Sequence, residues 1–334
     1  MYRIELKQDL TEQDYREWEQ LWNDSPFPKV YNSKYWFMAC KSAFKGKYSV
    51  VYIYKDEKLN VIIPLKSFCN LVFVSPGGKY LDKSSNLFAD PYDENLSDII
   101  QEFFKGKCLI FNEVPETELE FYGKSDYCRV SSVNPYAIID EGLSSISKRT
   151  KKKLDKIIAE SNNAFSIKVY KSNIKENINT IFQIEENSNK VERKKALFTN
   201  DEIKKFFEDI SSYPGARLFV LYYNDTPIAH TYDFLNGRYL TGCHTAYLDE
   251  YKKMMPGKML TYLVMEYCKE NGIGVYDFSR GECDKKAQFA KDKCDNYNLY
   301  YANIVIITCI KFFFNFIKVL KSIKRKMREA KIIK

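Results

Sequence analysis

His244, Asp277, Tyr247 and Tyr276 are side chains whose types could move a proton, and they crowd into one stretch, Arg217 to Lys286. His244 is the first candidate for a general base, because an imidazole with a reference pKa of about 6.5 changes charge near working pH. It falls at the end of a strand-like run, and Asp277, on the neighbouring run, is its rival. With Val275 and Ser279, Asp277 shares one face of that strand, so only one of Asp277 and Phe278 can face a cleft, and a buried carboxylate demands a partner. Tyr247 and Tyr276 are proton donors by type, although 26 tyrosines make any one of them unspecific. A Cys–His nucleophile is excluded: Cys243 and His244 adjoin, and adjacent strand residues point to opposite faces. Neither a GxSxG elbow nor a mononucleotide P-loop is present.

The second chemical feature is a loop, Met255-Pro256-Gly257-Lys258. Pro256 has no backbone N–H and suits the first helical position, and Gly257 lets a ligand approach the main chain. A helix follows from Gly257 to about Asn271, with Leu260, Leu263, Val264, Tyr267 and Cys268 on one face and Asn271-Gly272 as its stop. Its first amides and the positive end of its dipole suit an anion such as a pyrophosphate. Lys252, Lys253 and Lys258 add charge beside it.

The elements that must position these groups are strands. Leu218–Tyr223, Ile228–Leu235 and Tyr239–Thr245, separated by Asn224-Asp225 and Asn236-Gly237, predict a meander that feeds the loop and helix. Gly274–Ser279 follows as a further strand. This order resembles the GNAT superfamily, in which an acyl-CoA pyrophosphate rests on such a loop and the pantetheine arm enters between two splayed strands. Pro227-Ile228-Ala229, Pro256-Gly257-Lys258-Met259-Leu260 and Tyr276-Asp277-Phe278-Ser279-Arg280-Gly281, with Lys286 beyond, look like the Fem-related branch often labelled cellulose-biosynthesis-like. Two features depart from it: the glycine-rich phosphate signature of ordinary GNAT enzymes is absent, and Lys285 stands where a tyrosine is expected.

The resemblance implies an α/β chain of two tandem GNAT-like domains with mixed central sheets flanked by helices: a degenerate first domain over 1–142, an acyltransferase domain over 143–309, and a basic helix or tail over 310–334. It implies acyl-CoA, acetyl-CoA in particular, as co-substrate, held by Lys253, Met255, Gly257, Lys258, Met259, Arg280 and Lys286. The acceptor would be a small-molecule or lipid-linked amine, an amino sugar or amino acid used in building cell-surface polysaccharide or cell wall. Acyl transfer from a thioester needs a base for the amine, here His244 or Asp277, and an acid for the thiolate, here Tyr247 or Tyr276. Backbone amides around Cys243 to Ala246 are the candidates for stabilising the oxyanion. Fem-like relatives can use aminoacyl-tRNA, so tRNA is the alternative donor. A membrane-peripheral scaffold that has lost the chemistry is the non-enzymatic alternative.

At 334 residues, 45% hydrophobic and 16% aromatic, the chain suits two packed domains. Nine scattered cysteines, no CxxC pair and two histidines indicate neither a metal site nor a disulfide framework. No basic-then-apolar leader opens the sequence, and a cytoplasmic location is expected. The first half reads as mixed α/β without a chemical motif: strand Tyr2–Leu6, a helix begun by Thr11, a helix Ser33–Phe44, three strands to Val74, and helix Asp93–Phe104, strand Lys107–Asn112, helix Glu116–Tyr122 and strand Tyr127–Ile139.

Two basic segments stand out. Leu143–Ser161 reads as a helix with Lys148, Arg149, Lys151, Lys152, Lys153 and Lys156 largely outward, either an anionic-substrate contact or a solvated linker. Between Lys318 and Lys334 eight cations oppose Glu329, which puts +7 of the chain's net +8 in the last 17 residues. With Phe313, Phe316, Leu320, Ile323 and Met327 at helical spacing, this end is too interrupted to span a bilayer but suits peripheral contact with the inner face of a membrane, or packing on the protein's own surface. Strand Phe165–Tyr170 and helices Ile174–Ser188 and Asn200–Ser212 complete the second half, with Glu185, Glu186 and Lys190 read as solvent-exposed. A strand is expected over Leu299–Ile307.

Overall fold

Alternating apolar residues broken by Asn224-Asp225 and by Asn236-Gly237 fold 216–247 into an antiparallel meander in the computed structural model of this chain. Asn224 and Asp225 both take positive φ, as a two-residue hairpin matched to strand twist requires. The structure describes residues 1–139, 143–162 and 164–329, and of residues 318, 321 and 324–329 the backbone only.

The first half runs β1 (Tyr2–Lys7), α1 (Glu12–Asp24), α2 (Lys34–Ala43), β2 (Lys47–Lys55), β3 (Lys58–Phe68), β4 (Val72–Val74), β5 (Leu87–Phe88), α3 (Leu96–Phe103), β6 (Cys108–Pro115) and β7 (Tyr127–Ile138). The second runs α4 (Lys148–Glu160), β8 (Phe165–Tyr170), α5 (Ile174–Glu186), α6 (Asn189–Glu192), α7 (Asp201–Ile210), β9 (Ala216–Tyr223), β10 (Thr226–Asn236), β11 (Tyr239–Tyr247), α8 (Pro256–Glu270), β12 (Val275–Asp277), β13 (Asp292–Tyr301) and α9 (Ile304–Glu329). Thr11 and Asp14 close a capping box at the start of α1, and Pro256 occupies the first turn of α8.

All described strands join in one thirteen-stranded sheet, in the order β1-β2-β3-β4-β6-β13-β7-β12-β11-β10-β9-β8, with β5 on β3. The two halves mirror each other. Each is an antiparallel meander whose last strand pairs in parallel with the strand behind a crossover helix, β4 with β6 around α3 and β11 with β12 around α8. Each half also lends its final strand to the other: β13 lies against β6, β7 lies against β12, and β7 and β13 pair at the junction.

The core follows the same logic. One apolar cluster fills the angle between the halves, where Trp18, Trp36 and Phe37 pack with Phe206, Phe207 and Phe234. A second lies under the first half around Phe73, Phe111 and Leu299, and a third beneath α8 around Leu240, Met259 and Val264.

Two expected elements shift. The strand placed over Leu299–Ile307 is β13, Asp292–Tyr301, and Ile304 already begins α9. Polar residues fill the first part of β13 because its neighbours are polar: Asn296, 1% exposed, donates to the Asp82 carbonyl at 2.8 Å and to Asn134 Oδ1 at 3.2 Å. The helix expected from Leu143 begins at Lys148, where the Ser147 hydroxyl accepts from the Thr150 amide. The expected boundary at 142/143 adjoins 140–142, which lie outside the described residues, as do 330–334 of the basic tail. Among the described residues no helix is long and apolar enough to cross a membrane.

Candidate active site

β11 and β12 pair only at Tyr239–Val275, Leu240–Tyr276 and Thr241–Asp277, after which β12 stops and β11 continues to Tyr247. A register shift against β10 at Tyr232/Asp233 bends β11 at the same level, and the strands part. Leu248 donates its amide to the Ile228 carbonyl, so by antiparallel alternation His244 and Ala246 turn their amides toward β10, and Thr245 and Tyr247 turn theirs into the split. The oxyanion donors expected around Cys243 to Ala246 narrow accordingly, since the Cys243 amide is occupied by the Asp233 carboxyl.

A cleft of about 630 Å³ opens at this split. His244, Tyr247, Tyr276, Met255, Gly257, Lys258, Arg280 and Lys286 all line it. Asp277, Lys253 and Met259 do not. Eight cations border the cleft, Lys190, Arg193, Lys195, Lys252, Lys258, Arg280, Lys285 and Lys286, and among the described residues no carboxylate does.

His244 stands on the face of β11 that meets α5 and α7, with the Phe198 ring edge-on at 4.9 Å. Its Nε2 lies 2.8 Å from Glu185 Oε1. The other Glu185 oxygen accepts from the amides of Leu197 at 2.9 Å and Phe198 at 2.8 Å, and Lys190 Nζ is 3.4 Å from Oε1. Burial pushes the Glu185 carboxyl up, but the His244 hydrogen bond, the Phe198 amide and Lys190 outweigh it and bring it down to about 2. Burial pushes the His244 imidazolium down, with Lys190 adding to the effect and Glu185 offsetting part of it. In its neutral form the ring must donate Nε2–H to Glu185, because a carboxylate only accepts, and Nδ1 is then its acceptor. Glu185 and Lys190 were expected in solvent; Glu185 is fully buried instead. Its position was visible as a charge in the apolar register of α5, after Ile174, Ile178, Ile181 and Phe182.

At the opposite wall α8 begins. Met255 takes φ 53° as its N-cap, and its carbonyl accepts the amides of Lys258 and Met259, each at 2.9 Å. Pro256 has no N–H, which leaves the Gly257 amide at the helix mouth. A Cβ on Gly257 would stand 3.3 Å from the Tyr247 ring, so glycine also sets how closely α8 approaches β11. The Lys258 ammonium donates to Gln288 Oε1 at 2.6 Å and is pushed down by burial and by Lys153, Lys285 and Arg149. Cations thus gather from α4, from α8 and from the loop before β13, the setting of an anion site. Two expectations change here. Met259 is a core residue, fully buried with its amide occupied, and Lys253 is exposed outside the cleft.

Residues 149–287 match the family described as acetyltransferase (GNAT) domain. Over this stretch the chain resembles a GNAT domain. Among solved structures the chain is similar to FemX, with 12% identity and a TM-score of 0.58 over 87% of this chain and 96% of that one. L-PGS from Bacillus licheniformis gives 12% identity and a TM-score of 0.60 over 92% and 97%. The C-terminal domain of an Agrobacterium fabrum protein assigned as a lysylphosphatidylglycerol synthetase gives 9% and 0.60 over 90% and 95%. At these identities the likeness is one of fold. No curated protein matches the sequence. With its mirrored first half, the chain is a tandem of two GNAT-like folds.

On its β12 side the second half meets the first through buried charges. Asp277, 1% exposed, faces Lys83 at 2.8 Å, accepts from Tyr239 at 2.9 Å and caps the turn at Ser279, whose amide donates at 2.7 Å. The rival base is thereby corrected to an anchor: of the two neighbours, Phe278 faces the cleft. Tyr276 lends its ring to the lining, but its hydroxyl donates to buried Asp233 at 3.0 Å and its pKa is raised well above the usual value by burial and by that carboxyl, which removes it as the acid. Arg280 pairs with Asp82 at 2.9 Å and Glu113 at 3.2 Å, both from the first half. Lys286 donates to the carbonyls of Ser279 and Arg280, each at 2.8 Å, and so holds the loop that bears Arg280.

The sequence offered no motif for Asp82, Lys83 or Glu113. Burial, with the Asp277 and Glu113 carboxylates adding to it, pushes Asp82 up to about 6 against the pull of Arg280 and Ser279. Asp233, fully buried beneath the split, is pushed up to about 7 by burial against hydrogen bonds from Thr231, Tyr276 and the Cys243 amide.

Proposed function

We propose that this chain is an acyl-CoA-dependent N-acyltransferase, with acetyl-CoA as donor and an amine of an amino sugar or amino acid, free or lipid-linked, as acceptor in cell-surface polysaccharide or cell-wall building. The observation that carries the reading is the cleft at the split: a helix start with an open amide and a surplus of cations on one wall, a carboxylate-held histidine on the other. Acyl-CoA supplies the activated thioester. The residues fit it, because its phosphates match the Gly257 amide, Lys258 and Lys285, and the split admits an extended arm along Thr245 and Tyr247.

His244 Nδ1 accepts the proton lost by the acceptor nitrogen as that nitrogen bonds to the acyl carbon, directly or through one water. Glu185 keeps the imidazole in the tautomer this requires and stabilises the imidazolium that results. The Thr245 amide, which turns into the split, donates to the carbonyl oxygen as it gains charge. Tyr247, which lines the cleft with its ring centre 5.4 Å from the Lys285 ammonium, donates a proton to the departing sulfur. The C–S bond breaks as the amide forms, and the proton on His244 returns through solvent to Tyr247.

Incubation with acetyl-CoA and a panel of amino sugars and amino acids, read by release of free thiol and mass of the product, tests the proposal. Acceptor-dependent thiol release supports it, and a full panel without turnover or acetyl-CoA binding sinks it. Arg149 and Lys153, which carry the cation field past the cleft onto α4, favour a second reading, transfer from aminoacyl-tRNA. That reading predicts ribonuclease-sensitive activity and binding that falls steeply with salt.

A further inference from the structure

Helix α9 carries two apolar stripes, and the body of the protein covers one of them. At about 100° per residue, Ile306, Ile307, Ile310, Phe314 and Ile317 fall together. Ile307 is 2% exposed, and the Phe314 ring lies 6.2 Å from that of Tyr300 and 3.9 Å from the Arg129 guanidinium. Val305, Phe312, Phe316, Val319, Leu320 and Ile323 form the other stripe, and each is between 48% and 73% exposed. Single exposed apolar residues are ordinary, but a continuous stripe along one helix marks a surface that meets something.

The charge says what. Between Ala302 and Arg328 the sequence holds seven Lys or Arg residues and no Asp or Glu. A second copy of the chain would bring those cations against themselves, whereas a bilayer with anionic headgroups offers countercharge beside an apolar interior. The helix is too interrupted to cross that bilayer, so it lies along it.

We propose that α9 is an interfacial anchor: the stripe from Val305 to Ile323 enters the acyl boundary of an anionic membrane, and the cations of the same helix meet its headgroups. This anchor stands on observations away from the cleft and holds whatever the donor is.

Flotation of the full chain tests it, with vesicles of phosphatidylcholine alone and of phosphatidylcholine and phosphatidylglycerol in equal parts. The wild type floats with the mixed vesicles at low salt. The triple variant Phe312→Ser, Phe316→Ser, Ile323→Ser keeps every cation and every covered residue of the helix, and its partition falls at least about tenfold. Circular dichroism and a melting curve confirm that this variant is folded. Three outcomes overturn the proposal: a wild type that floats with neither vesicle, a triple variant that floats as the wild type does, or a vesicle-free dimer that the triple substitution splits.

Discussion

β4 and β11 hold the same place in the two halves, each paired in parallel with the strand behind its crossover helix, yet they end differently. β4 spans only Val72–Val74 and stops where its pairing stops, whereas β11 runs on from Gly242 to Tyr247 with one edge open. The helices behind them differ in the same sense. α3 has Asp98 in its first turn and so answers its own dipole; α8 has no carboxylate there, an N-terminal proline and Lys258. The same arrangement of strands is thus closed and self-neutralised in one half, and open and short of negative charge in the other. Where a fold leaves positive potential unanswered around an open edge, a ligand is expected to bring the countercharge.

The largest effect expected from breaking this contrast is on rate. Replacing His244 with Ala removes the proposed base of the open half and should lower kcat by about 10²–10⁴, with acetyl-CoA affinity unchanged by calorimetry. Because burial holds the imidazolium below its ordinary range, the wild-type rate should rise with pH along a limb below about 6.5 and be level at neutrality. Glu185 favours the protonated ring, so Glu185→Gln should move that limb to lower pH; a limb left in place would remove His244 from the mechanism.

At the root of the split the expectation concerns stability. Asp277→Asn leaves Lys83 facing a neutral amide in the interior and should cost about 3 kcal/mol in denaturant unfolding, with the pH profile of the folded fraction unchanged. A profile altered in shape would return Asp277 to the list of bases.

Asp233 gives a pH signature. Its folded pKa of about 7 lies above its ordinary value, so it contributes stability that is complete below the unfolded pKa and is lost as pH rises toward 7. Asp233→Asn should flatten that part of the wild-type dependence, compared by denaturation midpoints at mildly acid and mildly alkaline pH. Smallest of all, Asp98→Asn in α3 should cost less than about 1 kcal/mol and leave acetyl-CoA binding untouched.

Much of this was legible in the sequence, and the misses share a cause. The meander, the loop and α8 were readable because turn dipeptides, helix starts and apolar periodicity are local signals. His244 was nominated by type, and its place in the cleft follows from a strand end. Asp277 was nominated by the same logic and fails because its partner, Lys83, comes from the other half of the chain. Glu185 was assigned to solvent although it breaks the apolar stripe of α5, a signal that was present and outweighed by the general exposure of glutamates. β13 was displaced because its polar residues serve a buried network of Asp82, Glu113 and Asn134, which no period within the strand reveals.

The most direct test converts the start of α8 to the kind found in α3. Calorimetric titration of acetyl-CoA into the wild type and into Lys258→Glu should give micromolar binding in the first and at least about tenfold weaker binding in the second. Equal affinity in both, or no binding to the wild type, would contradict the claim that the open half of this tandem fold receives an anionic acyl donor at the mouth of α8.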